Sequence, residues 1–238
     1  MHTAVPEESS APPSAPPPAL SSTPRTTVNR GRNRVVTDRE RLLELLADGL
    51  VAHLGIVAGG HPVVLPTAYA VDADGPDHGG TLYLHGSVAA GWLEAALAQD
   101  VCVTVTELDG LVAARSGFHH SMNYRSAVVI GRPRLVEDPA ERGRALDLVV
   151  DQMVPGRSAT LRPATRKELA ATAVLAVPLA EASMKQRDGD PVDEPADVAA
   201  GVWAGVIPLR RVTDGPVSAD DSHGDVPAHV LARAARFR

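Results

Sequence analysis

The chain has 238 residues and a formal net charge of −6 at pH 7, which argues against a general nucleic-acid-binding protein, because such proteins carry a basic excess. Hydrophobic residues make up 44% of the chain and aromatic residues only 3%, so a core is feasible but must be mainly aliphatic. Cys102 is the single cysteine, which excludes a disulfide framework, and no apolar run approaches the roughly 18 residues of a membrane helix. We therefore expect a cytoplasmic protein that binds neither nucleic acid nor membranes.

The start of the chain differs in composition from the rest. Residues 1–29 are rich in Pro, Ser and Ala and show no hydrophobic periodicity, which predicts a disordered arm. Basic residues cluster around the end of this arm, namely Arg25, Arg30, Arg32 and Arg34. They indicate either a solvated basic linker or, for one or two of them, contacts with an anionic ligand or a partner subunit.

A helix and a hairpin are predicted directly after the arm. Thr37 as N-cap and Glu40 three residues later form a capping box, leucines follow at helical spacing, and Gly49 can end the helix. Two apolar segments, Val51–Ala58 and Pro62–Val71, then flank a short Gly-rich connection, which predicts an antiparallel hairpin.

The next predicted strand ends in a junction that suits a phosphate. We expect a strand over Thr81–Ser87 and a helix over Val88–Ala98, with Ser87 as its N-cap. A Gly-Ser pair at such a junction presents backbone N–H groups and a helix N-terminus, which favour a phosphate, although many junctions carry the pair only for the turn. Upstream, His53 lies within an apolar strand and is expected to be a core or interface histidine rather than a ligand.

Two β-branched segments, Val101–Thr106 and Tyr124–Gly131, predict a central strand pair. The connection between them concentrates polar groups, namely Arg115, His119, His120 and Asn123. Binding groups are commonly placed on such a connection between rigid strands, but an ordinary polar loop is the alternative interpretation.

The remaining elements are predicted from N-caps and apolar runs. They are a helix from Pro139, capped by Asp138, to about Val154, a short helix capped by Thr165, strands over Val174–Ala182 and Gly201–Pro208, and a short helix within 228–237. Residues 30–211 then form one domain and 212–238 a C-terminal tail. Mostly antiparallel strands with inserted helices predict a mainly β, α+β fold, either a barrel or a sandwich.

Four motifs, in this order and spacing, resemble the pyridoxamine 5′-phosphate oxidase-like superfamily, in particular its flavin-nucleotide-binding, nitroimidazole-resistance branch. They are Leu82–Ser87, Val101–Thr106, His119–Ser126 and Trp203–Pro208, and the resemblance covers about Arg30 to Leu209. It implies an FMN-binding split barrel, which is a six-stranded antiparallel Greek-key barrel with peripheral helices. It also implies a homodimer with the flavin at the subunit interface.

The resemblance also implies which residues contact the flavin. The expected contacts are Pro66, Thr67, Tyr69, Leu84, His85, Gly86, Ser87, Tyr124, Arg125, Ser126, Lys185 and Trp203. His85 is the expected catalytic residue, and no metal site is expected. Many members of the superfamily place a cation shortly after the third strand to bind the phosphate, whereas this chain has Val88-Ala-Ala-Gly91 there. Arg125 is therefore the expected phosphate ligand, with a surface ion pair as its alternative role.

The function implied is that of an FMN-dependent oxidoreductase acting on a small electron-poor or aromatic compound. Because no catalytic triad, metal-spaced cysteines or carboxylate pair stands out, the cofactor would carry the redox chemistry. The same residues suit a non-catalytic flavin or haem carrier, which is the alternative. Ligation of a metal or haem by His85, His119 or His120 is a minor alternative, because paired histidines in loops more often only form hydrogen bonds.

Overall fold

The computed structural model describes residues 19–21 and 23–237, so most of the predicted arm lies outside the described residues. Within the described part of the arm, Leu20 is buried in the core and Arg25 forms ion pairs with Asp100 and Glu181. The folded part of the chain therefore begins before residue 30. Arg25, one of the clustered N-terminal arginines, is used in this docking contact rather than on a ligand.

The described residues form eleven strands and six α-helices. The strands are β1 (Val35–Val36), β2 (Ala52–Ala58), β3 (His61–Thr67), β4 (Tyr69–Asp72), β5 (Thr81–Ser87), β6 (Val101–Ala113), β7 (Ser121–Gly131), β8 (Arg134–Leu135), β9 (Thr172–Pro178), β10 (Ala182–Arg187) and β11 (Gly205–Pro208). The helices are α1 (Arg39–Asp48), α2 (Gly91–Leu97), α3 (Pro139–Met153), α4 (Arg166–Ala171), α5 (Pro195–Ala199) and α6 (Ala228–Ala235). Short 3-10 turns cover Arg32–Arg34 and Ser158–Thr160.

The strands make two antiparallel sheets. The larger has the order β1-β10-β7-β6-β2-β3, with β11 also paired to β6, and the smaller has the order β4-β5-β9-β8. The predicted α+β split-barrel class is confirmed. Six strands have seven or more residues, and the other five are shorter. The largest difference from expectation is β6, which continues past Thr106 to Ala113 as a long ribbon with β7.

The N-caps of α3 and α4 are the residues that the local sequence predicts. Asp138 caps α3 by accepting from the Glu141 N–H at 2.8 Å, and α4 opens with the capping box predicted at Thr165. The N-cap of α1 was predicted one residue too early, because Asp38 and not Thr37 accepts from the Glu40 N–H, at 2.9 Å. Asp is at least as good an N-cap as Thr, so two adjacent candidates compete and the local pattern does not separate them.

Alternation divides the β6–β7 ribbon into two sides, with one register shift between Leu108 and Gly110. Val103 and Val105 of β6 and Ala127 and Val129 of β7 are buried, whereas the residues between them are exposed or half-buried. The buried leucines of α1 belong to the same core cluster as these four residues. α1 therefore packs on this inner side of the larger sheet, and the residues on the opposite side are exposed or half-buried, apart from Ser183.

Gly49 marks the closest approach between the end of α1 and the barrel. A Cβ at this position would lie 2.5 Å from Val105 Cγ1 and 2.6 Å from the Tyr69 hydroxyl oxygen. Its φ of −68° is accessible to any residue, so glycine is needed here for space and not for backbone conformation. The Tyr69 hydroxyl donates to the Leu46 carbonyl at 2.5 Å, which fixes the last turn of α1 to the smaller sheet.

An ion-pair network joins the smaller sheet to α3. The Arg134 guanidinium donates to Asp77 at 2.9 and 2.8 Å and to Glu141 at 3.0 and 2.5 Å. Only 12% and 16% of these two carboxylate side chains are exposed. Burial alone would raise the pKa of Asp77, but hydrogen bonds from Arg134 and Thr81 outweigh it and lower the pKa below its usual value. The network therefore stabilises the fold most when Asp77 is ionised.

Candidate functional site

The open side of the larger sheet carries hydroxyl, amine and imidazole groups between apolar residues. Directly paired residues of antiparallel strands point to the same side of a sheet, so the register defines rows across it. One row consists of His53, Thr104, Val128 and Ser183, and the next consists of Thr106, Ser126 and Lys185. We call the surface formed by these two rows and their apolar neighbours the outer face.

The apolar neighbours on the outer face are strongly exposed. Val57 is 51% exposed, Val64 63%, Leu108 43% and Met122 50%. They come from four different strands and share one side of the sheet. Several exposed apolar side chains on one side of a sheet, with polar residues among them, often mark a protein interface or a ligand site.

The rows and the apolar surface together suit a flat aromatic ligand that carries a phosphate. Such a ligand needs an apolar slot, a few aimed hydrogen bonds and a cation. The Thr104, Thr106 and Ser126 hydroxyls can donate or accept hydrogen bonds, and Lys185 supplies a positive charge. Lys185 is half-buried and is one of two lysines in the chain, the other being the exposed Lys167 on α4.

Four of the predicted flavin contacts lie on the outer face. Pro66 is exposed opposite His53, and Tyr124, Ser126 and Lys185 are half-buried on β7 and β10. These residues are up to 119 positions apart in sequence, between Pro66 and Lys185, and the sheet brings them to one surface. This is the part of the predicted site that the structure assembles.

Three predicted contacts point away from the outer face. The side chains of Tyr69 and Leu84 are fully buried in the core, and Thr67 is half-buried with its hydroxyl donating to the Ala68 carbonyl at 3.1 Å. Burial is the main cause that raises the pKa of Tyr69 above its usual range. The side chains of Tyr69 and Leu84 therefore serve packing, and only their backbone groups remain for a ligand.

Arg125 also lies on the inner side, because strand alternation turns it away from its neighbour Ser126. Its guanidinium donates to Asp109 at 3.1 and 3.0 Å and to Asp48 at 3.2 Å. The hydrogen bond with Asp109 is the main cause that raises the pKa of Arg125. Within one chain Arg125 therefore takes its alternative role, an ion pair, and its contact with a phosphate stays a prediction. Lys185 is left as the cation among the predicted contacts on the outer face.

His85, the predicted catalytic residue, lies on the smaller sheet. It pairs with Val174, which packs with Tyr83 and the α3 residue Ala145, so its side chain faces α3. Within one chain it does not meet Lys185 on the outer face. Burial lowers the pKa of His85, which favours the neutral imidazole, and its buried Nδ1 has no hydrogen-bond partner among the described residues.

The junction after β5 does not form the predicted phosphate site. α2 begins only at Gly91, its N-cap Ala90 makes no side-chain hydrogen bond, and the Ser87 hydroxyl instead accepts from the Ala89 N–H at 3.2 Å. Gly86 has a packing role, because a Cβ there would lie 2.6 Å from the Trp92 ring. The prediction that Ser87 caps this helix was wrong, since the turn that follows the strand delays the helix by several residues.

The polar connection between the central strands spans 114–120. Arg115 donates to Asp193 at 2.9 Å from both its backbone N–H and its guanidinium. Asn123 is buried and donates to the Gly189 carbonyl at 3.1 Å. These side chains fasten the ribbon to the segment before α5, so their role in the structure is to hold two loops together.

His119 and His120 line a cavity of about 600 Å³ beside this connection, together with Arg34 from the N-terminal cluster. The His120 Nδ1 lies 2.8 Å from the Ser116 carbonyl oxygen. Trp203, another predicted contact, is 68% exposed just before β11 and packs on Gly205, where a Cβ would lie 2.9 Å from its ring. These residues belong to a different region from the two rows of the outer face.

Comparison with known proteins identifies the fold and the family. The sequence model described as pyridoxamine 5′-phosphate oxidase matches residues 38–186. The chain belongs to this family. The resemblance expected from the four motifs is thereby confirmed.

Solved structures of similar proteins extend this family assignment. The flavocytochrome Anf3 from Azotobacter vinelandii is 38% identical, with 91% of this chain and 97% of that chain covered and a TM-score of 0.80. The FAD and haem binding protein from Mycobacterium smegmatis is 40% identical, with 84% and 97% covered and a TM-score of 0.76. A candidate 5-nitroimidazole antibiotic resistance protein from Bacteroides thetaiotaomicron, 24% identical over 63% of this chain and 85% of that chain, shares the fold with a TM-score of 0.52. A search of curated proteins found no significant match.

Sequence reasoning on this family member missed three residues of the outer face, namely His53, Thr104 and Thr106. His53 is exposed, so of the two expected positions, core or interface, only the interface position fits the structure. The signal for the threonines was present, because alternation places both on one side of their strand. Which side faces the core depends on the register with neighbouring strands, and a single sequence does not show that register.

Among residues 19–21 and 23–237, no three His, Cys, Asp or Glu side chains are placed to hold a metal ion. None of the helices in this part of the chain is long and apolar enough to cross a membrane.

Proposed function

We propose that this family member binds a flavin nucleotide, FMN, on its outer face and uses it to oxidise or reduce a small electron-poor or aromatic compound. The observation that carries this proposal is the outer face itself. It combines exposed apolar side chains with the row of Thr106, Ser126 and Lys185 on a surface that the core does not use. The flavocytochrome and the FAD and haem binding protein, both at least 38% identical to this chain, support a flavin as the ligand.

The chain would supply binding and orientation, and a bound flavin would supply the transfer of a hydride or an electron pair. Lys185 would balance the phosphate charge, and the Thr106 and Ser126 hydroxyls would donate hydrogen bonds to polar atoms of the ligand. Val128 and its apolar neighbours would exclude water from one face of the ring. Since His85 lies off this surface within one chain, we do not assign it a role in the proposed site.

The proposed site requires a second copy of the chain. A ligand on the outer face of one chain would be open to solvent on its other side. The exposed Val57, Val64, Leu108 and Met122 can be covered by the same surface of another copy through a two-fold axis. We therefore propose a homodimer in which flavin lies between the two outer faces.

A non-catalytic flavin or haem carrier is the second candidate, and two observations favour it. Two relatives are named for haem as well as flavin. A haem needs only one or two axial protein ligands, not a cluster of three. His53 is exposed on the outer face, and in His85 burial lowers the pKa, which favours the neutral imidazole, while its Nδ1 has no hydrogen-bond partner among the described residues. Both histidines fit the chemistry of an axial ligand.

A turnover assay separates the two candidates. The cofactor-free protein is titrated with FMN and with FAD, then given NAD(P)H and a nitroaromatic compound while the visible absorption of the flavin is followed. The enzyme proposal predicts repeated loss and recovery of that absorption. A flavin that binds but never cycles would favour the carrier, and binding of neither flavin would overturn the flavin proposal.

Ligation of a haem is tested with histidine variants. The haem proposal predicts that reconstituted protein shows a ligated haem spectrum that changes in His53→Ala or in His85→Ala. The matched control is His61→Ala, at the exposed turn of the β2–β3 hairpin. A spectrum that none of these substitutions changes would overturn ligation by His53 or His85.

A further inference from the structure

A second pocket lies where the C-terminal segment meets the middle of the β6–β7 ribbon. We call it the arginine pocket. Its volume is about 280 Å³, and five arginines line it, namely Arg125, Arg210, Arg211, Arg233 and Arg236. Three carboxylates also line it, so these eight residues carry a net charge of +2 in a chain whose formal net charge is −6. This local excess of positive charge indicates a site for an anion.

Three of the five arginines have carboxylate partners. Arg125, Arg211 and Arg236 form ion pairs with the three lining carboxylates at N–O distances between 3.0 and 3.2 Å. Arg211 also lies 5.5 Å from the ring centroid of Phe237. These contacts fix the shape of the pocket, and the ion pairs neutralise all three carboxylates.

Arg233 on α6 is different, because it is buried with only 8% of its surface exposed. Its guanidinium donates to the carbonyls of Met153 at 2.8 Å and Gln152 at 3.2 Å, at the end of α3. No carboxylate of the described residues lies within ion-pair distance of it. Burial is the main cause that lowers the pKa of Arg233, and the nearby positive charges of Arg236 and Arg211 lower it further. A buried cation in positive surroundings is stabilised by an added anion.

Arg210 is the second arginine without a counter-ion. It lies in the segment after β11, is exposed at the rim of the pocket, and makes no side-chain hydrogen bond or ion pair with the described residues. Arg210 and Arg233 thus come from two different elements and line one small space. Neither of them forms an ion pair with a carboxylate in the described part of the chain.

We propose that the arginine pocket binds the phosphate group of a phosphorylated small molecule, with Arg210 and Arg233 as its cationic donors. A guanidinium matches a phosphate with two parallel hydrogen bonds, which an ammonium does not do. The volume of about 280 Å³ is below the roughly 300–1,000 Å³ of a pocket that encloses a whole drug-sized ligand. The pocket therefore suits a phosphate with a small attached group. Because one chain forms it, the site does not rest on the proposed flavin function.

Calorimetric titration of the cofactor-free protein with inorganic phosphate at low ionic strength tests this proposal. Binding is expected to saturate, to weaken about tenfold in Arg210→Gln and to be lost in Arg210→Glu. Arg210 anchors no other described residue, so these variants are expected to fold, which circular dichroism checks. The matched control is Arg166→Gln, an exposed arginine on α4 outside the pocket, which should leave phosphate binding unchanged.

The phosphate could belong to FMN itself or to a separate ligand, and competition separates these sources. Inorganic phosphate that competes with FMN but not with riboflavin, and that no longer competes in Arg210→Glu while still competing in Lys185→Met, assigns the pocket to the flavin phosphate in place of Lys185. Unchanged phosphate binding to FMN-saturated protein assigns it to a separate ligand. The proposal is overturned if inorganic phosphate does not bind, or binds Arg210→Glu as tightly as the unmodified chain. The phosphate titration needs no flavin, so it stays informative even if flavin binding fails.

Discussion

Replacing Lys185 with Met should weaken the binding of FMN and leave the binding of riboflavin unchanged. Lys185 is half-buried on β10, next to Ser126, and forms no ion pair with the described residues, so its charge is available to a ligand. A hydrogen bond to a charged group contributes about 1.5–3 kcal/mol, and partial exposure to water favours the lower end of that range. We expect a loss of about 1.5–2 kcal/mol, which corresponds to roughly 10- to 30-fold in Kd.

The assay compares two ligands that differ only in the phosphate. Cofactor-free protein is titrated with FMN and, separately, with riboflavin, and flavin fluorescence reports binding. The control is Lys167→Met, which removes the other lysine of the chain from an exposed helix and should change neither affinity. If Lys185→Met lost affinity equally for FMN and riboflavin, or lost affinity for neither, the assignment of Lys185 to the phosphate would be refuted.

Two further predictions concern stability. In Arg134→Gln, Asp77 and Glu141 lose their buried ion pairs. Urea unfolding at neutral pH should show that the free energy of unfolding falls by about 2–3 kcal/mol. Because the pKa of Asp77 is lowered in the folded chain, this difference should shrink as the pH falls through that pKa, and a constant difference would contradict the network. Gly49→Ala should destabilise the fold by about 1–3 kcal/mol, because its Cβ would make close contacts. The control Gly143→Ala lies in α3 with open space around it and should stabilise the fold by roughly 0.5–1 kcal/mol. Equal effects of the two substitutions on the free energy of unfolding would contradict the packing argument.

The elements that the sequence predicts well are those with local signals. The capping residues of α3 and α4 lie within one turn of the helices that they start, so Asp138 and Thr165 could be identified without tertiary information. The same holds for the β2–β3 hairpin, where Gly59 and Gly60 adopt the positive φ angles that a tight turn requires. In these places the local preference and the fold agree.

The elements that were missed depend on contacts between distant segments. Glu107, Asp109 and Gly110 interrupt the apolar pattern of β6, but pairing with β7 and β11 continues the strand to Ala113. The carboxylate partners of Arg125 come from the end of α1 and from β6, and no local pattern indicates them. Strand alternation correctly indicated that Arg125 and Ser126 face opposite sides, but only the register shows that Ser126 is on the outer face.

Light scattering on the FMN-saturated protein tests most directly whether two outer faces meet and enclose the flavin. We expect a dimer at micromolar concentration with one flavin per chain. In Val128→Glu, which places a charge in the middle of the outer face, we expect a folded monomer that has lost the flavin. The control Val217→Glu, at a position 94% exposed, should remain a flavin-bound dimer. A monomeric Val128→Glu that still binds flavin with unchanged affinity would contradict the claim.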